Sequence, residues 1–180
     1  KNRITDVNQL KDFQNYNLFT GYSNVADIDL DCPEALELAD DFLIPARIEF
    51  GRESTPRSHR LYKILDLDKK KHTRTYLPFR DSDEDNTLIE LRAHNHYTMC
   101  GGMYDNKEEV VYSKLSKLTE INYDQLHKSY SMLALATVLL RKVRLPNIEH
   151  HNEFFKEVAG VLHQYKITKE DAEKIFEAVI

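Results

Sequence analysis

Residues 25–31, which read Val-Ala-Asp-Ile-Asp-Leu-Asp, place acidic side chains at every second position. Successive side chains of a β-strand point to opposite faces, so Asp27, Asp29 and Asp31 would share one face of such a strand. Carboxylates this close repel one another, and a divalent cation between them removes that cost. The spacing therefore predicts a metal-binding strand. A solvated acidic strand face would show the same pattern.

The residues between the aspartates favour the metal-binding interpretation. Ala26, Ile28 and Leu30 predict a central strand with one face in the core. Paired carboxylates on a central strand are costly unless they bind something. We interpret Asp27 and Asp29 as metal ligands, and Asp31 as a residue that helps to cap the helix predicted from Pro33 onward.

A loop rich in hydrogen-bond donors follows at residues 51–60. Its candidate anion ligands are Arg52, Arg57, Ser58, His59 and Arg60. Guanidinium groups hydrogen-bond phosphate oxygens, and backbone amides add further donors, so this loop could hold a triphosphate. The competing interpretation is an exposed hairpin tip.

A third segment, Leu-Ile-Glu-Leu-Arg at residues 88–92, alternates in the same way. Ile89 and Leu91 would face one side of a strand, and Glu90 and Arg92 the other. Glu90 is either a third metal ligand or the ion-pair partner of Arg92.

The elements that must position these segments are mostly strands in the first two thirds of the chain. Strand-like patterns occupy residues 17–21, 47–50, 59–65, 73–79, 88–92 and 96–100, and 47–65 reads as a hairpin with a long basic tip. Short helices are predicted at residues 7–13 and behind Pro33. The sequence thus predicts an α+β fold.

The last third of the chain is helical. A capping box of Asn122 and Gln125 predicts the start of a long amphipathic helix that Pro146 ends. Further helices are predicted at residues 153–165 and from Thr168 onward. We therefore expect a core at residues 1–121 and a small helical subdomain at residues 122–180.

Composition limits the possible functions. The 180 residues are 41% hydrophobic and carry a formal net charge of -5, so no global basic field attracts nucleic acid and any such contact must be local. Cys32 and Cys100 form no Cys-x-x-Cys pair, so neither a zinc ribbon nor a disulfide framework is expected, and a reduced cytoplasmic setting fits. No apolar run is long enough to span a bilayer, and no membrane contact is expected.

The three segments, in this order, resemble the motifs of the archaeo-eukaryotic primase superfamily, and most of all its bacterial and phage primase-polymerase branch. Residues 25–35 resemble the first motif, residues 50–62 resemble the second, and Glu90-Leu91-Arg92 resembles the third. The similarity extends over about residues 18–112, and the helical tail resembles, less specifically, the helical domains that follow such cores.

The resemblance implies a catalytic core with an RNA-recognition-motif-like sheet and an αβ unit beside it. It implies that Asp27, Asp29 and Glu90 bind Mg²⁺ or Mn²⁺ in a two-metal site, with no zinc. Two metals about 3.5 to 4 Å apart can activate a primer 3′-hydroxyl and stabilise the leaving pyrophosphate. The residues implied to hold the nucleotide's phosphates are Arg52, Arg57, Ser58, His59, Arg60 and Arg92, with His59 counted among the catalytic residues.

The expected activity is therefore the addition of nucleotides from nucleoside triphosphates to a templated strand. The implied partners are single-stranded or primed DNA and a replicative helicase. Because the acidic strand follows Lys1 so closely, we expect the chain to be a piece of a longer protein. One alternative is a non-catalytic replication-initiator module on the same fold. It is favoured by the acidic net charge and by Gly101-Gly102-Met103, where many relatives have a Pro-Pro-Ser type turn. The other is a metal-dependent nuclease, because carboxylate pairs also serve hydrolysis.

Overall fold

The computed structural model describes residues 15–68, 76–80, 86–105, 107–144, 151–164 and 166–179. The helix predicted at residues 7–13, the start of the strand predicted at 73–79 and Pro146 lie outside these ranges. Within them, no helix has both the length and the apolar character needed to cross a membrane.

The secondary structure confirms the predicted α+β class. The strands are β1 (Tyr16–Phe19), β2 (Val25–Leu30), β3 (Ile48–Gly51), β4 (His59–Ile64), β5 (Tyr76–Arg80), β6 (Thr87–Arg92), β7 (Tyr97–Gly101), β8 (Met103–Tyr104), β9 (Glu108–Glu109), β10 (Val111–Leu115) and β11 (Thr119–Ile121). The helices are α1 (Pro33–Phe42), α2 (Tyr123–Val143), α3 (His151–Gln164) and α4 (Lys169–Val179). The sequence patterns do not predict strands β8 to β11, which are short and mostly exposed.

Seven of the described strands form one sheet, in the order β10-β3-β4-β2-β6-β5 with β11 beside β4. The pairs along this order are antiparallel, and β11 runs parallel to β4. Consequently β2 and β3 are parallel to each other with β4 between them. Together with α1 they form a split βαβ unit. The predicted hairpin of β3 and β4 is present.

Strand β2 is central, with β4 on one side and β6 on the other. Its apolar residues Ala26, Ile28 and Leu30 are at most 1% exposed and belong to the same hydrophobic core as helices α1 and α2. Full burial of a side chain such as isoleucine or leucine stabilises the fold by about 1.5–3 kcal/mol. This burial fixes which face of β2 points to the helices, and the aspartates point the other way.

Helix α2 is part of this core. Its start has the predicted capping box, and the Tyr123 N–H also donates a hydrogen bond to Asp66 Oδ1 at 2.7 Å. In the middle of the helix, the Tyr130 hydroxyl donates to the Leu77 carbonyl oxygen at 2.5 Å. Helix α4 packs on α2 and contributes Ile175 to the core. The predicted helical subdomain, residues 122–180, therefore shares its hydrophobic core with the sheet.

Strands β1 and β7 form a separate two-stranded ribbon. The ribbon contacts the aspartate face of the large sheet, because the Thr98 hydroxyl of β7 donates a hydrogen bond to Asp27 Oδ2 at 2.7 Å. Glycine at position 101 leaves room for the Tyr16 ring, because a Cβ atom there would lie 1.9 Å from Cζ of Tyr16. The large sheet therefore has helices on one face and this ribbon on part of the other.

Candidate metal centre

The sheet places the three predicted segments side by side. Asp29 on β2 is level with His59 on β4 and with Glu90 on β6. Asp27 is level with Arg92. Residues at matching positions of neighbouring strands point to the same face, so these five side chains converge on the side of the sheet opposite the helices.

Their ligand atoms are close enough for a cation. Asp27, Asp29 and His59 each offer one ligand atom within 4.8 Å of the others, and Asp29, Asp31 and Glu90 form a second such group. Carboxylate oxygens are the ligands that Mg²⁺ and Mn²⁺ prefer. Asp29 belongs to both groups. The buried acidic cluster can therefore hold a metal ion.

Asp27 supplies an independent reason to expect a cation. It is completely buried, and its Oδ2 lies 3.0 Å from His59 Nδ1 in addition to accepting the hydrogen bond from Thr98. Its Oδ1 is buried and has no hydrogen-bond partner among the described residues. A buried carboxylate oxygen without a partner is costly, and a metal bond would satisfy it. The donor set therefore fits a divalent cation.

Burial perturbs the acid–base properties of this cluster. It raises the pKa of Asp29 to about 7, and the charge of Asp27 adds to the rise, while His59 and Arg92 oppose it. Burial by itself lowers the pKa of His59, but Asp27 and Asp29 outweigh burial and raise this pKa above its ordinary value. The pKa of Asp29 therefore lies near neutral pH, and His59 keeps its proton to a higher pH than an ordinary histidine.

This perturbation predicts a pH-dependent metal affinity. We expect the affinity for Mn²⁺ to rise from about pH 6 to about pH 8, because Asp29 must lose its proton to become a ligand. Calorimetry in two buffers of different ionisation enthalpy should show proton release on binding near pH 6.5. An affinity that is constant over this range would contradict the prediction.

The same pKa has the opposite effect on folding. The folded chain keeps a proton on Asp29 up to about pH 7, whereas the unfolded chain loses it near 3.8. The unfolded state therefore binds fewer protons between these values, so the contribution of Asp29 to stability falls as the pH rises through that window. In urea titrations without added metal, Asp29→Asn should flatten this part of the stability profile.

Arg92 lies between the carboxylates. Its Nη2 is 2.6 Å from Asp29 Oδ2, and both Nε and Nη2 contact Glu90 Oε2. Its Nη1 is 3.9 Å from Asp27 Oδ2. The structure shows Glu90 as the ion-pair partner of Arg92. Glu90 also lies close enough to Asp29 and Asp31 to share a cation with them.

A cavity of about 340 Å³ adjoins the carboxylates. Small-ligand sites have volumes of about 300–1,000 Å³. The lining side chains with charged or polar groups include Asp29, Asp31, Arg52, Ser58, His59 and Arg92. The His59 ring stacks on Phe50 with centroids 4.8 Å apart, and the Arg52 guanidinium lies 4.1 Å from the centre of the Tyr104 ring. Four of the six predicted phosphate ligands thus reach one cavity.

The other two predicted phosphate ligands lie elsewhere. Arg60 follows His59 on β4, so its side chain points to the opposite face, where it pairs with Asp40 of α1 at 2.7 Å. Arg57 binds Asp40 at 2.8 Å and the buried Glu49 at 2.7 Å. Neither lines the cavity. Arg57 and Arg60 instead connect the loop and sheet to helix α1.

The predicted capping role of Asp31 is wrong. The residue at the N-cap of α1 is Cys32, and its side chain makes no capping hydrogen bond. Asp31 lies with Asp29 and Glu90 instead. Burial raises the pKa of Asp31, and the charge of Glu90 adds to the rise. The third aspartate of the alternating segment therefore belongs to the site.

Sequence reasoning did not identify Thr98. Its hydroxyl contacts Asp27 only because the β1–β7 ribbon packs on the aspartate face of the sheet. A threonine in a strand is common, and no spacing marks this one. The contact of Tyr104 with Arg52 depends on strand β8, which the sequence patterns do not predict.

No protein-family model, curated protein or solved structure matches this chain. The function must therefore be inferred from the residues of the site and their geometry.

Proposed function

We propose that this protein is a metal-dependent nucleotidyltransferase of the primase-polymerase type, which adds nucleotides from nucleoside triphosphates to a templated DNA strand. The observation that carries the proposal is the convergence of Asp27, Asp29 and Glu90 from two paired strands on one face of the sheet. This convergence supports the three-motif resemblance, because residues some sixty positions apart meet at matching register.

The carboxylates are the cation-binding part of the site. Asp27, Asp29 and Glu90 would hold Mg²⁺ or Mn²⁺, and Asp31 is placed to assist. When bound, such cations supply activation of a primer 3′-hydroxyl and neutralise charge on the leaving pyrophosphate. The buried Asp27 Oδ1 supports this assignment because the described residues offer it no other partner.

The cavity is the part that holds the triphosphate. Arg52 and Arg92 bring positive charge to its lining, and Ser58 and His59 add polar groups. The His59 ring is held in one orientation by Asp27 on its edge and Phe50 on its face. Phosphoryl transfer depends mainly on positioning and charge neutralisation, and a rigid ring beside paired carboxylates suits that requirement.

The strand order supports the expected type of core. The consecutive neighbours β3-β4-β2-β6, built around the split βαβ unit, have the order of an RNA-recognition-motif-like sheet. The helices cover one face of this sheet, and the site lies on the other. A template strand and a primer therefore have a face from which to approach. A replicative helicase is the protein partner that this role implies.

Primer extension tests the proposal. With Mg²⁺ or Mn²⁺ and deoxynucleoside triphosphates, the chain should lengthen a labelled primer on its template one nucleotide at a time. Glu90→Gln, which removes one negative charge with little change in shape, should slow extension by about 100-fold. Glu120→Gln is the matched control, because Glu120 is exposed and its described ion pair, with Lys63, also lies at the surface.

The alternatives give different results in the same assay. A metal-dependent nuclease would shorten the primer when no triphosphate is present. A non-catalytic module would bind neither nucleotide nor Mn²⁺ in calorimetry and would not lengthen the primer. Positive charge in the cavity lining favours a bound triphosphate over a nuclease role. Failure to extend any primer with either metal would refute the proposal.

A further inference from the structure

Arg92 occupies a cation's position among the carboxylates. Its guanidinium contacts Asp29 Oδ2 and Glu90 Oε2 and lies 3.9 Å from Asp27 Oδ2. Its side chain is only 18% exposed, so water screens these contacts little. All three partners are the carboxylates to which the proposed function assigns a divalent cation.

The two oxygens of Asp29 face different partners. Oδ1 lies 3.4 Å from His59 Nδ1, whereas Oδ2 lies 2.6 Å from Arg92 Nη2. A divalent cation shared by Asp29 and Glu90 would bind their oxygens at about 2.0–2.6 Å. At that distance the cation and the guanidinium repel each other, and both need the lone pairs of the same carboxylate oxygens. The two therefore compete for Asp29 and Glu90.

Arg92 also lines the 340 Å³ cavity that adjoins these carboxylates. A guanidinium released from Asp29 and Glu90 is already beside the space assigned to the triphosphate. It would offer that ligand a planar set of donors suited to phosphate oxygens. Arg92 thus has two alternative anionic partners within its reach.

We propose that Arg92 couples metal binding to triphosphate binding, an inference that rests on the proposed function. Arg92 neutralises Asp29 and Glu90, a divalent cation displaces it, and the displaced guanidinium binds the triphosphate. Each ligand then increases the affinity for the other by the same factor, because coupling between two sites is reciprocal. Arg92 is a positioning residue for the carboxylates and a binding residue for the nucleotide.

Calorimetric titration with Mn²⁺ alone tests the competition. Arg92→Gln should bind Mn²⁺ at least about fivefold more tightly than the unmodified chain, which is the low end of ordinary coupling between sites. With saturating Mg²⁺, the same variant should bind a nucleoside triphosphate more weakly. The matched control is Arg52→Gln, which removes the same charge from the same cavity but from a side chain that stacks on Tyr104. In the absence of nucleotide, the affinity of Arg52→Gln for Mn²⁺ should stay within about twofold of that of the unmodified chain. The reason is that the described ion pairs include none between Arg52 and the carboxylates of the metal site.

A measurement on the unmodified chain covers the case in which Arg92→Gln fails to fold. Arg92 Nε donates a hydrogen bond to Glu90 Oε2, so its N–H group should give a distinct, slowly exchanging NMR signal. Arg92→Lys identifies the signal by removing it. Mg²⁺ at saturation should shift this signal and speed its exchange with water.

The outcomes separate this inference from the proposed function. If Mn²⁺ binds and Asp27→Asn abolishes binding, the metal site stands. If Arg92→Gln then binds Mn²⁺ no more tightly, or the Arg92 signal is unchanged at saturating Mg²⁺, the coupling is refuted alone. If neither the unmodified chain nor Arg92→Gln binds Mn²⁺, both proposals fall.

Discussion

Replacing Asp27 with asparagine is expected to lower primer extension by about 1,000-fold or more and to weaken Mn²⁺ binding to the same degree. Asparagine has the size of aspartate but lacks its charge. It would present an amide in place of a carboxylate whose Oδ1 has no other described partner and whose Oδ2 faces His59 and Thr98. Among the described carboxylates on this face of the sheet, Asp27 is the one that is completely buried, whereas Asp29 and Glu90 are 5% and 8% exposed.

Extension rates and Mn²⁺ calorimetry measure the effect of this change. Thermal unfolding of Asp27→Asn should be recorded alongside, so that a loss of activity is not a loss of fold. Asp124→Asn, at an exposed position in the first turn of α2, is the matched control and should behave like the unmodified chain. Full activity of Asp27→Asn would show that the carboxylate cluster does not perform the chemistry.

A chain that ends at residue 121 is expected not to fold. Helix α2 covers the apolar face of the sheet, and its fully buried residues include Leu126, Leu133 and Ala136. Without α2, the buried residues of β6 that it contacts would face water, and the apolar face of α1 that packs on α2 would be exposed. Circular dichroism during guanidinium denaturation should show no cooperative transition for the shortened chain. A cooperative transition would show that residues 1–121 fold on their own.

A point substitution gives a graded version of the same experiment. Leu133→Ala should lower the free energy of unfolding by about 2–5 kcal/mol, because the side chain is completely buried and its removal leaves a cavity. Val161→Ala on α3, where the side chain is 51% exposed, should change it by less than about 0.5 kcal/mol. Equal effects of the two substitutions would contradict the assignment of α2 to the core.

The elements that bear the site were largely predictable because their signals are local. Alternation of Asp27 and Asp29 with apolar residues predicts the burial and the facing of β2, and the structure shows both. His59 and Arg60 are consecutive residues of a predicted strand, so their side chains must point to opposite faces. The sequence therefore also predicts that Arg60 lies on the helix face when His59 lies on the other.

Other placements depend on contacts that no local pattern contains. Arg57 lies outside the cavity because its guanidinium pairs with Asp40 of α1 and Glu49 of β3. Asp31 joins the site because the segment after β2 passes next to Glu90. Thr98 joins it because the β1–β7 ribbon packs on the sheet.

The alternating aspartates show most clearly how the two kinds of information divide. A strand's side chains repeat every two residues, so the chain alone established which residues share a face and that Glu90 and Arg92 could join them. The level at which β6 lies against β2 is set by packing of the whole core. That register places Glu90 beside Asp29 and Arg92 between the carboxylates. Arg92, a predicted phosphate ligand, is therefore also the counter-ion of the carboxylates in the proposed metal site.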